Sequence, residues 1–269
     1  MTFKIPNIIF GKPVDGALER MLARSNASQV PTAPANESLP STPIAANINP
    51  ADYIQVPQKK LVIAKRQDYN GLKFEEAIRA TADKGLRVPR IDEMVQHFIN
   101  VRDAVEGRMT LHDGNNNAIL QAEAREHWNY LSSTDRSKFG NTVFWTWLDA
   151  FFKENASGLY IMETDHRVVK DASGATRINS RNMSLDAYVK MNGWTGLSFN
   201  NQGLPVSASP LSQYTQGQNI YFYQPVKDRV ARFYAYSGGA GLYCDGGPRG
   251  SSSVLGVLAC AEGTSRARN

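Results

Sequence analysis

The residues of this chain whose types and spacing could do chemistry are two cysteines, four histidines, one Asp/Asn cluster and a Gly/Ser/Tyr-rich stretch near the C-terminus. His97, His112, His127 and His166 are dispersed, with no metal-ligand spacing. Cys244 and Cys260 could pair or remain as buried free thiols, and spacing alone does not choose between the two. Asp113, Asn115 and Asn117 begin with calcium-loop spacing, but Ala118 stands where such a loop needs Gly and the terminal Glu is out of register. A loop closed by Asn and Asp side chains is the preferred reading there. The sequence holds no Gly-x-Ser-x-Gly elbow, phosphate loop or His-Glu-x-x-His. The expectation is therefore a protein that is not an enzyme, with no cofactor and no metal. Trp128, Trp145, Trp147 and Trp194 are read as core.

The remaining candidate is a binding surface between Tyr236 and Val254. Its expected ligand-binding positions are Tyr236, Gly238, Gly239, Gly241, Tyr243, Asp245, Gly246, Gly247, Arg249, Gly250, Ser251, Ser253 and Val254. Tyr gives large, rigid, amphipathic contact area at low entropic cost, and Ser and Gly give adaptable polar contacts. Tyr236, Tyr243, Asp245 and Arg249 are the expected anchors, because aromatic and Arg side chains dominate binding hot spots. The pairs Tyr236/Ser237, Gly241/Leu242 and Tyr243/Cys244 predict side chains alternating outward and inward. The competing reading is a turn region whose glycines serve positive φ and bind nothing.

The elements that must hold such a surface follow from periodicity. Leu61–Lys65 predicts a first strand. Phe74, Ala77, Ile78 and Ala82 share one helix face, interrupted by Thr81, and Gly85 suits the cap just beyond. Pro89 pushes Val88 to an extended conformation. Ile91, Met94, Val95, Phe98 and Ile99 mark a second helix. Residues 111–141 read as loop-rich, 144–152 as an aromatic run, 158–164 as a strand and 170–184 as polar turns. The tail reads as short antiparallel strands between Gly, Ser, Pro and Asp. Helices early and strands late predict an α+β fold.

Ahead of this domain, residues 1–25 predict a short helix or arm, and 26–56 a Pro/Ala/Ser-rich linker. The main domain is expected over 57–269. Hydrophobic residues make up 42% and charged residues 20%, enough apolar material for a core. The net charge of +5 is scattered, with only Lys59, Lys60, Lys65 and Arg66 close together, which argues against nucleic acid as partner. No run approaches the roughly 20 apolar residues of a membrane span, and no signal-like h-region occurs. Location is left open between cytoplasm and a virion surface.

Two stretches resemble a known family. Phe74-Glu-Glu-Ala77 followed by Gly85-Leu-Arg87-Val-Pro89-Arg-Ile-Asp-Glu93 resembles a pattern of C-type lectin folds, shared with the formylglycine-generating-enzyme branch and with phage and prokaryotic relatives. Val88 stands where that pattern has Leu. Residues 231–260 resemble the variable region of diversity-generating retroelement proteins, particularly those of archaeal viruses and their hosts. In that family, adenines of a template copy are randomised, with Asn codons the usual targets; Lys, Glu, Gln, Met and Trp cannot arise. None of those five occurs between Ala231 and Cys260. Many members end Gly-Val-Arg or Gly-Phe-Arg, where this chain has Gly256-Val257-Leu258.

The resemblance implies a C-type lectin scaffold that displays a diversified surface to a protein or glycan ligand, with homo-oligomer formation or virion attachment through the N-terminal arm. A structural virion or assembly protein is the alternative, and a relative of the formylglycine-generating enzymes a further one. The latter needs a closely spaced reactive cysteine pair, which Cys244 and Cys260 do not supply. Calcium-dependent glycan lectins carry Glu-Pro-Asn or Gln-Pro-Asp and Trp-Asn-Asp motifs. Here Gln224-Pro225-Val226 lacks the carboxylate and no Trp-Asn-Asp occurs.

Overall fold

A computed structural model describes residues 48–141 and 143–262, together with the backbone of a short antiparallel ladder between Ile8–Ile9 and Lys12–Pro13. Pro13, within the stretch expected to form a short helix or arm, sits in that ladder. The rest of the expected helix or arm and most of the expected linker lie outside the described residues.

The sheeted domain starts earlier than the expected boundary at Pro57. β1 (Tyr53–Val56) pairs with β2 (Leu61–Ala64) across a single 3-10 turn. Ile54 and Val56 are almost fully buried, so Tyr53–Val56 belong to the core and not to a linker. Three helices follow: α1 (Phe74–Ala82), α2 (Ile91–Val105) and α3 (Gln121–Ser132). On α1 the buried face is Phe74, Ala77, Ile78 and Thr81. Thr81 is accommodated because its hydroxyl donates back to the carbonyls of Ala77 (2.9 Å) and Ile78 (3.0 Å). Gly85, at φ +69°, closes the helix, its N–H meeting the Ala82 carbonyl at 2.8 Å.

The third helix corrects the loop-rich reading of 111–141. It buries Ala124, His127, Trp128 and Leu131, an i, i+3, i+4, i+7 stripe, against α2. The Asp113 loop behaves as expected: Asp113 Oδ1 accepts the N–H groups of Asn115 (2.9 Å) and Asn117 (2.8 Å), so its carboxylate closes a turn.

The strands that follow are β3 (Phe144–Glu154), β4 (Tyr160–Lys170), β5 (Thr176–Ser184), β6 (Gly193–Gly196), β7 (Asn219–Tyr223), β8 (Arg229–Tyr236), β9 (Gly239–Gly246), β10 (Leu255–Gly256) and β11 (Cys260–Glu262). β5 corrects the turn-like reading of 170–184. Both of its faces are largely polar, and β4 holds it by a ladder from Ile161↔Ser184 to Lys170↔Thr176. A three-stranded antiparallel sheet runs β11–β2–β1. The large sheet runs β5–β4–β3–β8–β9–β7–β6, with β10 also paired to β3. It is mixed rather than purely antiparallel: β9 runs parallel to β7, and β10 parallel to β3. The domain is therefore α+β, with α2 and α3 packed over one face of the large sheet around Phe98, Trp128, Leu148, Phe233 and Leu242. Cys244 and Cys260 are both buried free thiols.

Candidate functional site

The hairpin β8–β9 divides its residues cleanly between two faces. Ala231, Phe233, Ala235, Ala240, Leu242 and Cys244 are fully buried in the core under the helices. Arg232, Tyr234 and Tyr236, with Gly239, Gly241, Tyr243 and Asp245, lie on the opposite face, as the period of two requires. Ser237 and Gly238 form the exposed turn between the strands.

Strand register extends that face sideways. Trp194 pairs with Tyr221, Tyr221 with Gly241, Gly241 with Tyr234, and Tyr234 with Trp145, giving one lateral row across five strands. A second row runs Tyr223, Tyr243, Arg232, Trp147. The rings interlock: Trp145 and Tyr234 stack at 5.1 Å, and Tyr243 meets Trp145 edge-on at 5.6 Å and Tyr223 at 4.7 Å. Tyr236 leans on Tyr234 at 5.2 Å and is 37% exposed. Tyr234 is buried beneath its neighbours, and burial drives its hydroxyl pKa well upward. The aromatic paving thus has a fixed floor and an accessible upper layer.

Polar groups punctuate it. The Arg232 guanidinium lies 4.2 Å from the Trp147 ring centroid and donates to the Gly247 carbonyl. Burial pushes Arg232 down to about 10, and its Nε has no hydrogen-bond partner among the described residues. Asp245 Oδ1 is likewise unpartnered, and burial raises the Asp245 carboxyl above the ordinary range. Burial also raises Tyr243.

The expected positions do not all join this face. Tyr236, Tyr243 and Asp245 do. Arg249 belongs to the loop after β9 and lines a separate cavity with Phe74 and His166. Tyr236 and Gly246 stand at opposite ends of the hairpin, about 20 Å apart at the usual rise per residue. The four anchors therefore do not form one patch. Ser251 and Ser253 are exposed, Val254 and Gly250 half-buried.

The glycines separate as well. A Cβ on Gly241 would lie 2.5 Å from the Tyr221 carbonyl oxygen, and on Gly246 2.9 Å from that of Val230. Gly239 carries φ +126° and faces the Tyr214 ring. These three are structural glycines that let rings and strands approach. Gly247, with nothing nearer than 3.8 Å, has room for a side chain, and at Gly238 the nearest atoms belong to the outer end of the Tyr236 side chain at 2.8 Å, which must give way to admit one. The sequence reading missed Trp145, Trp194, Tyr221, Tyr223, Arg232 and Tyr234 as members of the face. Trp145 and Trp194 are half-buried on it rather than core; only Trp128 and Trp147 are buried. The signal was alternation in NIYFY and VARFYAY, where Tyr and Arg alternate with Ile, Phe and Ala.

The fold and site define a mixed helix-and-sheet protein with an aromatic sheet face. No family model, curated protein or solved structure matches the chain.

Proposed function

We propose that this protein binds a protein or glycan ligand through the outer face of β8–β9, on a scaffold of the C-type lectin type, as a variable protein of a diversity-generating retroelement. The observation that carries the reading is the two-faced hairpin. Its core side is built from Ala, Phe, Leu and Cys, so outward side chains can change without disturbing the packing beneath. The residue palette of 231–260 supports the same reading, since Lys, Glu, Gln, Met and Trp are missing from it.

The pattern residues of the lectin resemblance also cooperate physically, which supports the scaffold assignment. Ala77 is fully buried on α1, and Gly85 caps it. Arg87 grips Glu93 with two hydrogen bonds of 2.6 and 2.7 Å, and Glu93 also accepts the Arg90 N–H at 2.8 Å to start α2. The close approach at Gly239, Gly241 and Gly246 narrows the exchangeable set to Tyr236, Gly238, Tyr243, Asp245, Gly247, Arg249, Gly250, Ser251, Ser253 and Val254.

The test is the DNA around the gene. The expected result is a near-copy of the codons for 231–260, differing at adenines, beside a reverse-transcriptase gene. Absence of any such copy, or differences spread evenly over all four bases, overturns the retroelement reading.

A further inference from the structure

A cavity of about 910 Å³ lies between α1 and the adjoining side of β3, β4 and β5, with Pro248 and Arg249 forming its lip. Its size falls in the range of small-molecule sites. Phe74, Phe151 and Ile178 give it apolar walls.

The backbone of β4 is distorted at this point. A bulge interrupts the β4–β5 register between Thr164 and Arg167, and Asp165 sits at φ +54°. Bulges re-aim side chains and concentrate near functional sites. Here the distortion turns His166 inward onto Asp149. Asp149, 2% exposed, accepts the His166 backbone N–H at 3.0 Å and faces its Nδ1 in a short contact. The imidazole is nine-tenths buried, lies edge-on to Phe74 at 5.5 Å, and its Nε2 has no hydrogen-bond partner among the described residues. With Nδ1 engaged by Asp149, Nε2 is the ring nitrogen left to meet a ligand in the cavity.

Charge around the cavity is nearly balanced. Lys73 pairs with Glu76 at 3.2 Å, Arg79 with Glu75 at 3.0 Å and Lys153 with Glu163 at 2.5 Å. Arg249 is the one cation of the wall without an ion-pair partner among the described residues. A guanidinium favours a carboxylate, which it can bind in bidentate fashion.

We propose that this cavity is a ligand site distinct from the aromatic face, and that it takes a small carboxylate bearing an aromatic ring and a hydroxyl. The carboxylate pairs with Arg249, the ring packs against Phe74 and Phe151, and the hydroxyl hydrogen-bonds with His166 Nε2. The cavity stands independently of the diversified-surface reading. If that reading also holds, Arg249 is the exchangeable lip of a pocket whose Asp149–His166 pair is fixed.

The probe is 4-hydroxyphenylacetate, titrated into the full isotope-labelled chain and followed by NMR. The expected result is a dissociation constant of about 1 mM or tighter for a ligand of this size, with shifts at His166 and Arg249. Arg249→Ala is expected to weaken binding by about fivefold or more, and His166→Gln to weaken it as well. Leu120→Ala, exposed at the start of α3 and outside the cavity lining, leaves it unchanged. Tyramine, which carries an amine in place of the carboxylate, does not bind. Absence of shifts up to about 10 mM probe, equal binding of tyramine, or full affinity in Arg249→Ala overturns the proposal. Arg249 is exposed, so that variant carries the test even if His166→Gln does not fold.

Discussion

Replacing Gly241 by Ala is the sharpest probe of how the aromatic face is built. Gly241 has no positive φ, so the substitution tests space alone. The new methyl would meet the Tyr221 carbonyl oxygen at 2.5 Å and lie closer still to the Tyr234 hydroxyl. That carbonyl is held in the β9–β7 pairing and cannot retreat as a flexible side-chain tip can. Overpacking of this kind costs about 1–3 kcal/mol. A compatible Gly→Ala change stabilises by about 0.4–1 kcal/mol through the unfolded chain, so the net loss expected is about 1–2 kcal/mol. For a domain of this size each kcal/mol moves Tm by about 2–4 °C, so Tm should fall by about 2–8 °C. Gly247→Ala is the matched control: it too lacks a positive φ, and its Cβ would have 3.8 Å of clearance. It should leave Tm unchanged or raise it slightly. Thermal and urea unfolding of the two variants beside the parent decide the matter. A Gly241→Ala protein as stable as the parent, or equal losses in both variants, would refute the assignment of Gly241 as a spacer beneath Tyr234.

Other outcomes follow from buried polar groups. Glu93→Ala strands Arg87 with only the half-exposed Glu262, and should cost about 3 kcal/mol by urea unfolding; a loss under about 1 kcal/mol would contradict it. His97 and His127 meet at 2.9 Å through their Nε2 atoms, with both Nδ1 atoms unpartnered among the described residues. Burial lowers His97 to about 3 and His127 well below its ordinary value. Because the folded values are depressed, this stability is complete above about pH 6.5 and is lost as pH falls from there, by up to about 1.4 kcal/mol per pH unit for each imidazole. A Tm profile between pH 8 and 4 should show that decline, and His127→Phe should flatten it; an unchanged slope in the variant would remove the pair as its cause. Cys244 and Cys260 are fully buried, which raises both thiol pKa values. Native protein should therefore resist alkylation, and denatured protein should take two labels without reductant; a single label or none would mean a disulfide or a modified thiol.

Some of this architecture is readable without coordinates. The α1 stripe, its Gly85 cap and the turn through Pro89 follow from periodicity and backbone chemistry alone. α3 escaped because His127 breaks an otherwise regular Ala124–Trp128–Leu131 stripe, and only tertiary packing shows a histidine on that face to be buried. β5 escaped because a strand with both faces largely polar carries no alternation to detect. At the surface, sequence located the hairpin but not its neighbours. Trp194, Tyr221 and Trp145 join the face through register between distant strands, and spacing within one strand cannot express that. Glycines were indistinguishable for a similar reason: what crowds Gly241 comes from β7 and β8, not from its own segment.

The three-stranded sheet has a mechanical consequence. β1 and β11 flank β2 from opposite sides, and both run antiparallel to it. The chain enters beside Ala64 at Tyr53 and leaves beside Leu61 at Glu262, at opposite ends of β2. Tension applied between those two points loads the backbone pairs along the strand axes, many at once, in shear. The path of that load runs β1 to β2 to β11 and bypasses the aromatic strands, so a stretched molecule would keep its outer face in register while the small sheet bore the strain.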